Sequence, residues 1–464
     1  MTAARPHALH CGMSMSTPSR GLGFWMCLAL VIGNMIGSGV FLLPASLAPY
    51  GVNSILGWLV TAAGSVLLAI VFARLARSYP DAAGPYVYPR KAFGEAAGFL
   101  TAWGYWMAVW IGNAAIVTGT VAYLAELVPA IKQTVGGPAI ASCAIIWILT
   151  YLNWRGVRQM GVVQIVTTVL KVMPLLAIVV LAIVLLGKGD ASVIRVDPQP
   201  LSLAAVTASA ALTLWAFLGL ESATVPAGSV INPEKTIPRA TLWGTAITTV
   251  IYVLACSTVV LLLPTAQLAQ STAPFADVVR MFWGGNAASL LALFAFISGF
   301  GALNGWILIH GEMPAALARA GVFPEFFARQ SKYQTPGTSL FITSGLLTLL
   351  VLLNYTSSMV VVFTKMLLIA TLSTLVTYLC CSLATLKLAW QGNLGIKGKS
   401  LGVLSTIAIL GAIYSVWTIF GAGKEAFYWG IGLLVAGVPV YVAMKKLHRD
   451  DAVKEPVRGS KAIL

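Results

Sequence analysis

An all-α integral membrane protein with twelve transmembrane helices is the fold this sequence predicts, and three observations predict it. Hydrophobic residues are 58% of the chain and charged residues only 9%, against about 25% charged in an ordinary soluble domain. A spanning helix needs about 20 predominantly apolar residues. Stretches of that kind recur at 22–47, 53–76, 97–127, 138–153, 160–187, 202–230, 238–264, 283–317, 337–354, 357–386, 403–421 and 426–445. The third observation is charge placement. With the N-terminus inside, only Lys132, Lys188, Arg195, Arg280 and Lys424 fall outside, and only Lys171 and Lys365 fall within spans. Every other Lys and Arg of the 29 lies in an inside loop or tail, as cytoplasmic segments of membrane proteins require. That placement accounts for the net charge of +15 without a nucleic-acid partner. Both termini are expected in the cytoplasm, with tails over 1–21 and 446–464 and one transmembrane domain over 22–445.

The first span is interrupted by Gly37-Ser38-Gly39. Each glycine costs about 1 kcal/mol of helix stability relative to alanine. Unwound backbone at membrane depth survives only where it lines a cavity or is buried in protein. The alternative is a Gly-rich packing face of an ordinary helix. No cleavage site follows this stretch, so it is expected to stay as a helix, with Met13 and Met15 as alternative starts. The second and third spans are plainly apolar. The fourth, like the ninth, is short. The fifth carries Lys171, which costs roughly 2.5–3.5 kcal/mol at mid-span and so needs a reason. The sixth is broken at Gly219, with Glu221 following at membrane depth. Paired irregular spans five helices apart point to a transporter site built on inverted repeats, here approximately 22–187 and 202–386, with two further helices over 403–445. After the seventh span, Ser271 is a candidate N-cap of a small outer helix. The eighth carries Glu312 near its inner end, and the tenth Lys365, near enough to an end to snorkel. Cys27, Cys143, Cys256, Cys380 and Cys381 lie in spans and Cys11 in the tail, without metal or disulfide spacing. The four histidines do not cluster, and no metal or cofactor is expected.

The chain resembles the amino acid–polyamine–organocation (APC) family, most closely its bacterial basic amino acid and polyamine exchangers. The residues that carry the resemblance are Gly33 to Ala45, Tyr105-Trp106 with Trp110-Ile111-Gly112-Asn113, and Leu214-Trp215 with Gly219-Leu220-Glu221-Ser222. The loop Asn232-Pro233 to Ile237-Pro238-Arg239-Ala240, then Gly305-Trp306 and Gly321-Val322-Phe323-Pro324, complete it. The resemblance implies a leucine-transporter-like fold of two inverted five-helix repeats plus two C-terminal helices. It also implies a substrate site at Asn34, Met35, Ile36, Ser38, Gly39, Asn113, Trp215, Leu218, Trp306 and Ala370. Amides around Ser38 and Gly39 would take the substrate carboxylate, and carbonyls near Met35, Trp215 and Leu218 its ammonium. Trp215 and Trp306 would be aromatic walls, Trp306 suiting a cationic tail. The alternative is that each belongs to the interfacial belt. Asn113 either bonds the substrate tail or joins two helices. Ala370 departs from a serine that faces the guanidinium in these exchangers.

Lys171, Glu221 and Tyr105 are the coupling and gating candidates. Lys171 either titrates or stands permanently where sodium symporters hold an ion. Glu221 either carries a proton, with Tyr105 beside it, or ties its helix to neighbours. The expected function is sodium-independent, proton-linked amino acid transport by alternating access across the bacterial inner membrane, with cationic substrates favoured. The alternatives are obligate amino acid/amine or neutral amino acid exchange, and a non-transporting sensor on the same fold. Neither the pore rings of a channel nor the acid–base clusters of an enzyme are present. The expected partners are the amino acid, protons and membrane lipid, with a homodimer left open.

Overall fold

The computed structural model describes residues 22–454, except 81–83, 157–159, 190–192, 196–198, 225–229, 320 and 355. The expected tail 1–21, and residues 455–464 of the other tail, lie outside the described residues. Among the described residues seventeen α-helices carry the fold: α1 (Phe24–Met35), α2 (Gly39–Leu47), α3 (Asn53–Ser78), α4 (Val87–Phe93), α5 (Glu95–Leu127), α6 (Ala130–Gln133), α7 (Gly137–Arg155), α8 (Met160–Gly187) and α9 (Leu203–Leu214), followed by α10 (Pro233–Leu262), α11 (Thr265–Gln270), α12 (Pro274–Trp283), α13 (Gly285–Arg319), α14 (Gly337–Leu353), α15 (Met359–Trp390), α16 (Lys399–Gly421) and α17 (Gly423–Lys454). An isolated bridge joins Leu22 to Val230.

Among the described residues, eleven stretches are long and apolar enough to cross a membrane, counting α1 with α2 as one and α9 with the turns after it as another. The expected ninth span is α14, whose 17 residues reach about 25 Å at 1.5 Å per residue. That is a few ångströms short of a hydrocarbon core of about 30 Å. Two other expectations shift. The Asn-Pro segment expected as a loop forms the first turns of α10, because Pro233 suits the first helical position, where no amide partner is needed. The outer segment after the seventh span forms two helices, α11 and α12, and Ser271 is the N-cap of neither: it is the C-cap of α11. Pro274 fixes the start of α12, and Ser271 Oγ instead accepts from the Ala273 amide (3.2 Å) and donates to Asp277 Oδ2 (2.5 Å).

α5 and the α1–α2 stretch are the most buried, 89% of the apolar part of each, against 17% for α17, and of the two only α5 is unbroken. It packs along α13 and α15, while α10 packs along α3 and α1. The broken pairs α1–α2 and α9 lie between these groups. Small residues set the spacing, as expected where lipid offers no hydrophobic drive between helices. A Cβ on Gly57 of α3 would meet Ser209 Oγ of α9 at 2.2 Å, and one on Gly244 of α10 would meet Val31 Cγ1 of α1 at 2.6 Å. At the bundle's edge Lys365 of α15 pairs with Glu425 of α17 (2.7 Å), which accounts for a cation near the end of its span. Glu312 faces Arg319 at 3.7 Å, both half-exposed.

Candidate substrate site

Two helix breaks meet at one cavity. α1 ends at Met35, and Ile36 turns extended, with φ −81° and ψ 100°. Gly37 and Ser38 lie outside regular helix, and α2 restarts at Gly39. The first amides of a helix have no intrahelical acceptor, and with the helix dipole they attract anions. α9 ends at Leu214, tightens into a 3-10 turn over Trp215–Phe217 and opens at Leu218. Gly219 then takes φ +104°, which a side chain resists, and a Cβ there would meet the Asn34 carbonyl carbon at 3.1 Å. The second break is thus shaped against the first.

The cavity has about 540 Å³ of empty space, counting the solvent at its mouth. Asn34, Met35, Gly39, Tyr105, Asn113, Trp215, Leu218, Glu221 and Trp306 all line it. Gly37, Val40, Gly112 and Thr374 are among the lining residues outside the expected site set. Trp215 spans it: a Cβ on Gly39 would lie 2.4 Å from the indole Nε1, and one on Gly112 of α5 would lie 2.7 Å from its far edge. Neither Trp215 nor Trp306 has an aromatic partner ring among the described residues.

The structure places Ile36, Ser38, Lys171 and Ala370 off the cavity lining. The Ile36 amide is spent on Ile32 O (2.8 Å). The Ser38 hydroxyl donates to Ile116 O (2.6 Å) and accepts from Thr120 Oγ1 (3.1 Å), so its side chain locks the restart of the helix against α5. Ala370 packs where a Cβ on Gly112 would lie 3.6 Å away. Lys171 is fully buried on α8, and its Nζ donates to Gly33 O at 2.9 Å. That carbonyl would take the Gly37 amide in an unbroken helix; the break frees it and Lys171 satisfies it. No carboxylate lies within ion-pair distance of Lys171 among the described residues.

Glu221 is also fully buried. Oε1 accepts from Tyr105 OH (2.7 Å), and Oε2 accepts from Tyr378 OH (2.6 Å) and the Gly219 amide (3.3 Å). Sequence reasoning missed Tyr378. The signal was available: Ala370, Thr374 and Tyr378 recur every four residues on one face of α15, of which Thr374 lines the cavity and Tyr378 reaches the Glu221 carboxylate.

Paired helix breaks facing one cavity inside an apolar bundle define the class, a secondary transporter. The chain belongs to the APC family: a model described as amino acid permease matches residues 22–443. It is 34% identical over 452 residues to a Bacillus subtilis (strain 168) protein provisionally named an arginine/ornithine antiporter, covering 90% of this chain and 96% of the relative. An arginine/agmatine antiporter of Chlamydia pneumoniae is 31% identical, covering 94% and 93%. A cadaverine/lysine antiporter of Escherichia coli (strain K12) is 34% identical over 339 residues, covering 72% and 75%.

Proposed function

We propose that the protein exchanges cationic amino acids, or such an amino acid for its amine, across the bacterial inner membrane by alternating access, linked to protons and independent of sodium. The carrying observation is the cavity itself. The restarted helix at Gly39 offers amides to a carboxylate. Carbonyls at the end of α1 and at Trp215–Leu218 offer acceptors to an ammonium. Trp306 offers an open π-face to a cationic tail, worth about 0.5–2 kcal/mol. All three relatives are named as antiporters of two cationic solutes, the first provisionally, which favours exchange over net uptake. In this reading the chain crosses the membrane twelve times as two inverted repeats plus two helices, with both termini cytoplasmic. Lipid covers flanks such as Ile183 and Leu186 of α8, which are 63% and 76% exposed. Lys171 stands permanently where an ion would bind, and Glu221 with its two phenols is the proton-linked group.

Calorimetry on the purified protein tests the cavity assignment. Arginine, lysine and ornithine should bind, and leucine and glutamate should not. Trp306→Leu keeps apolar bulk but removes the indole, so binding of the cationic amino acids should weaken by about 1–2 kcal/mol. Tighter binding of leucine than of arginine, or unchanged arginine binding in Trp306→Leu, contradicts the assignment.

A further inference from the structure

One chain of hydrogen bonds leaves the cavity and ends at a backbone carbonyl. Asn113 Nδ2, at the cavity wall on α5, lies 3.1 Å from His310 Nδ1 on α13. His310 Nε2 lies 3.3 Å from Ser344 Oγ on α14, and Ser344 Oγ lies 2.7 Å from Thr150 Oγ1 on α7. Thr150 Oγ1 lies 2.8 Å from Ile146 O. All four side chains are buried. The far end fixes the direction of the whole chain, because a carbonyl only accepts. Thr150 therefore donates to Ile146 O and accepts from Ser344. Ser344 has one proton, already spent, so it accepts from His310 Nε2–H. A neutral imidazole carries a single N–H, so Nδ1 accepts, and Asn113 must turn its Nδ2 toward it. That leaves Asn113 Oδ1, on a cavity-lining side chain, with no partner among the described residues.

We propose that His310 is a positioning residue for substrate selection: it holds the Asn113 amide with its carbonyl oxygen free, so the cavity takes a tail that donates hydrogen bonds and rejects one that only accepts. A free amide serves either kind of tail by rotating. A held amide serves a guanidinium or ammonium and leaves an ester or carboxylate facing a lone pair. The proposal rests on the reading of this cavity as a site for cationic amino acids.

Two measurements test it separately. Nitrogen-15 NMR of histidine-labelled protein, with the His310 signals assigned by their loss in His310→Leu, should show the Nε2–H tautomer. An Nδ1–H tautomer or a doubly protonated ring overturns the chain's direction. Binding of arginine and of glutamate γ-methyl ester, whose tail only accepts, reads the selection. Wild type should prefer arginine, and in both His310→Leu and the milder Ser344→Ala that ratio should fall at least fivefold. A ratio unchanged in Ser344→Ala with the protein folded overturns the positioning role. If wild type binds no arginine, the transport reading fails and the selection role with it, while the nitrogen spectrum still decides the direction of the chain.

Discussion

Lys171 and Glu221 are the only Lys, Arg, Asp or Glu among the described residues that are fully buried, and the bundle satisfies each differently. Three donors converge on the Glu221 carboxylate, whereas Lys171 has one carbonyl, freed by the break in α1. A free sodium ion near that carbonyl would meet a tethered positive charge and be repelled by it. Lys171→Ala leaves Gly33 O without a donor, at a cost of about 1–3 kcal/mol for a buried unsatisfied group, and leaves Thr168 Oγ1 to Ala29 O as the remaining side-chain hydrogen bond between α8 and α1 among the described residues. Exchange should fall about tenfold or more while the protein still purifies as a single folded species; wild-type rates in Lys171→Ala contradict the role. Both charges were legible in the sequence because a charge at membrane depth is costly enough to demand a purpose. His310 was not, and Tyr378 showed only as the end of a four-residue repeat, without its partner. A tyrosine or histidine in an apolar helix is unremarkable until packing brings its partner, here from a helix more than a hundred residues away.

At the scale of elements, the breaks in α1–α2 and α9 were readable because glycine runs oppose helix formation whatever surrounds them. Their mutual fit was not, since it depends on how closely Gly219 approaches Asn34. Gly219→Ala must adopt φ +104° and crowd the Asn34 carbonyl. It should lose about 1–3 kcal/mol of stability, the usual cost of a strained backbone, and weaken amino acid binding. Gly345→Ala on α14 is the control. It lies in a helix with open space around it, so alanine should stabilise by up to about 1 kcal/mol. Thermal unfolding of the two purified variants checks this, and equal midpoints contradict it. The shifted boundaries have the same kind of cause. Pro233 and Pro274 each start a helix where sequence reasoning placed a loop or a different cap, because proline at the first helical position helps rather than breaks.

For the whole molecule, the apolar runs and the distribution of basic residues are repeated along the entire chain, so fold class was the most legible level. Substrate was the least legible, because it is decided by a few groups gathered from α1, α5, α9, α13 and α15 around one cavity. The proposed function requires one thing of the intact protein: bidirectional movement of cationic amino acids without sodium. Counterflow in proteoliposomes tests it most directly. Vesicles loaded with unlabelled arginine, ornithine or lysine should transiently accumulate external labelled arginine, those loaded with leucine or glutamate should not, and replacing sodium with choline should change nothing. Absence of counterflow with every cationic amino acid, or strict dependence on sodium, would contradict the proposed function.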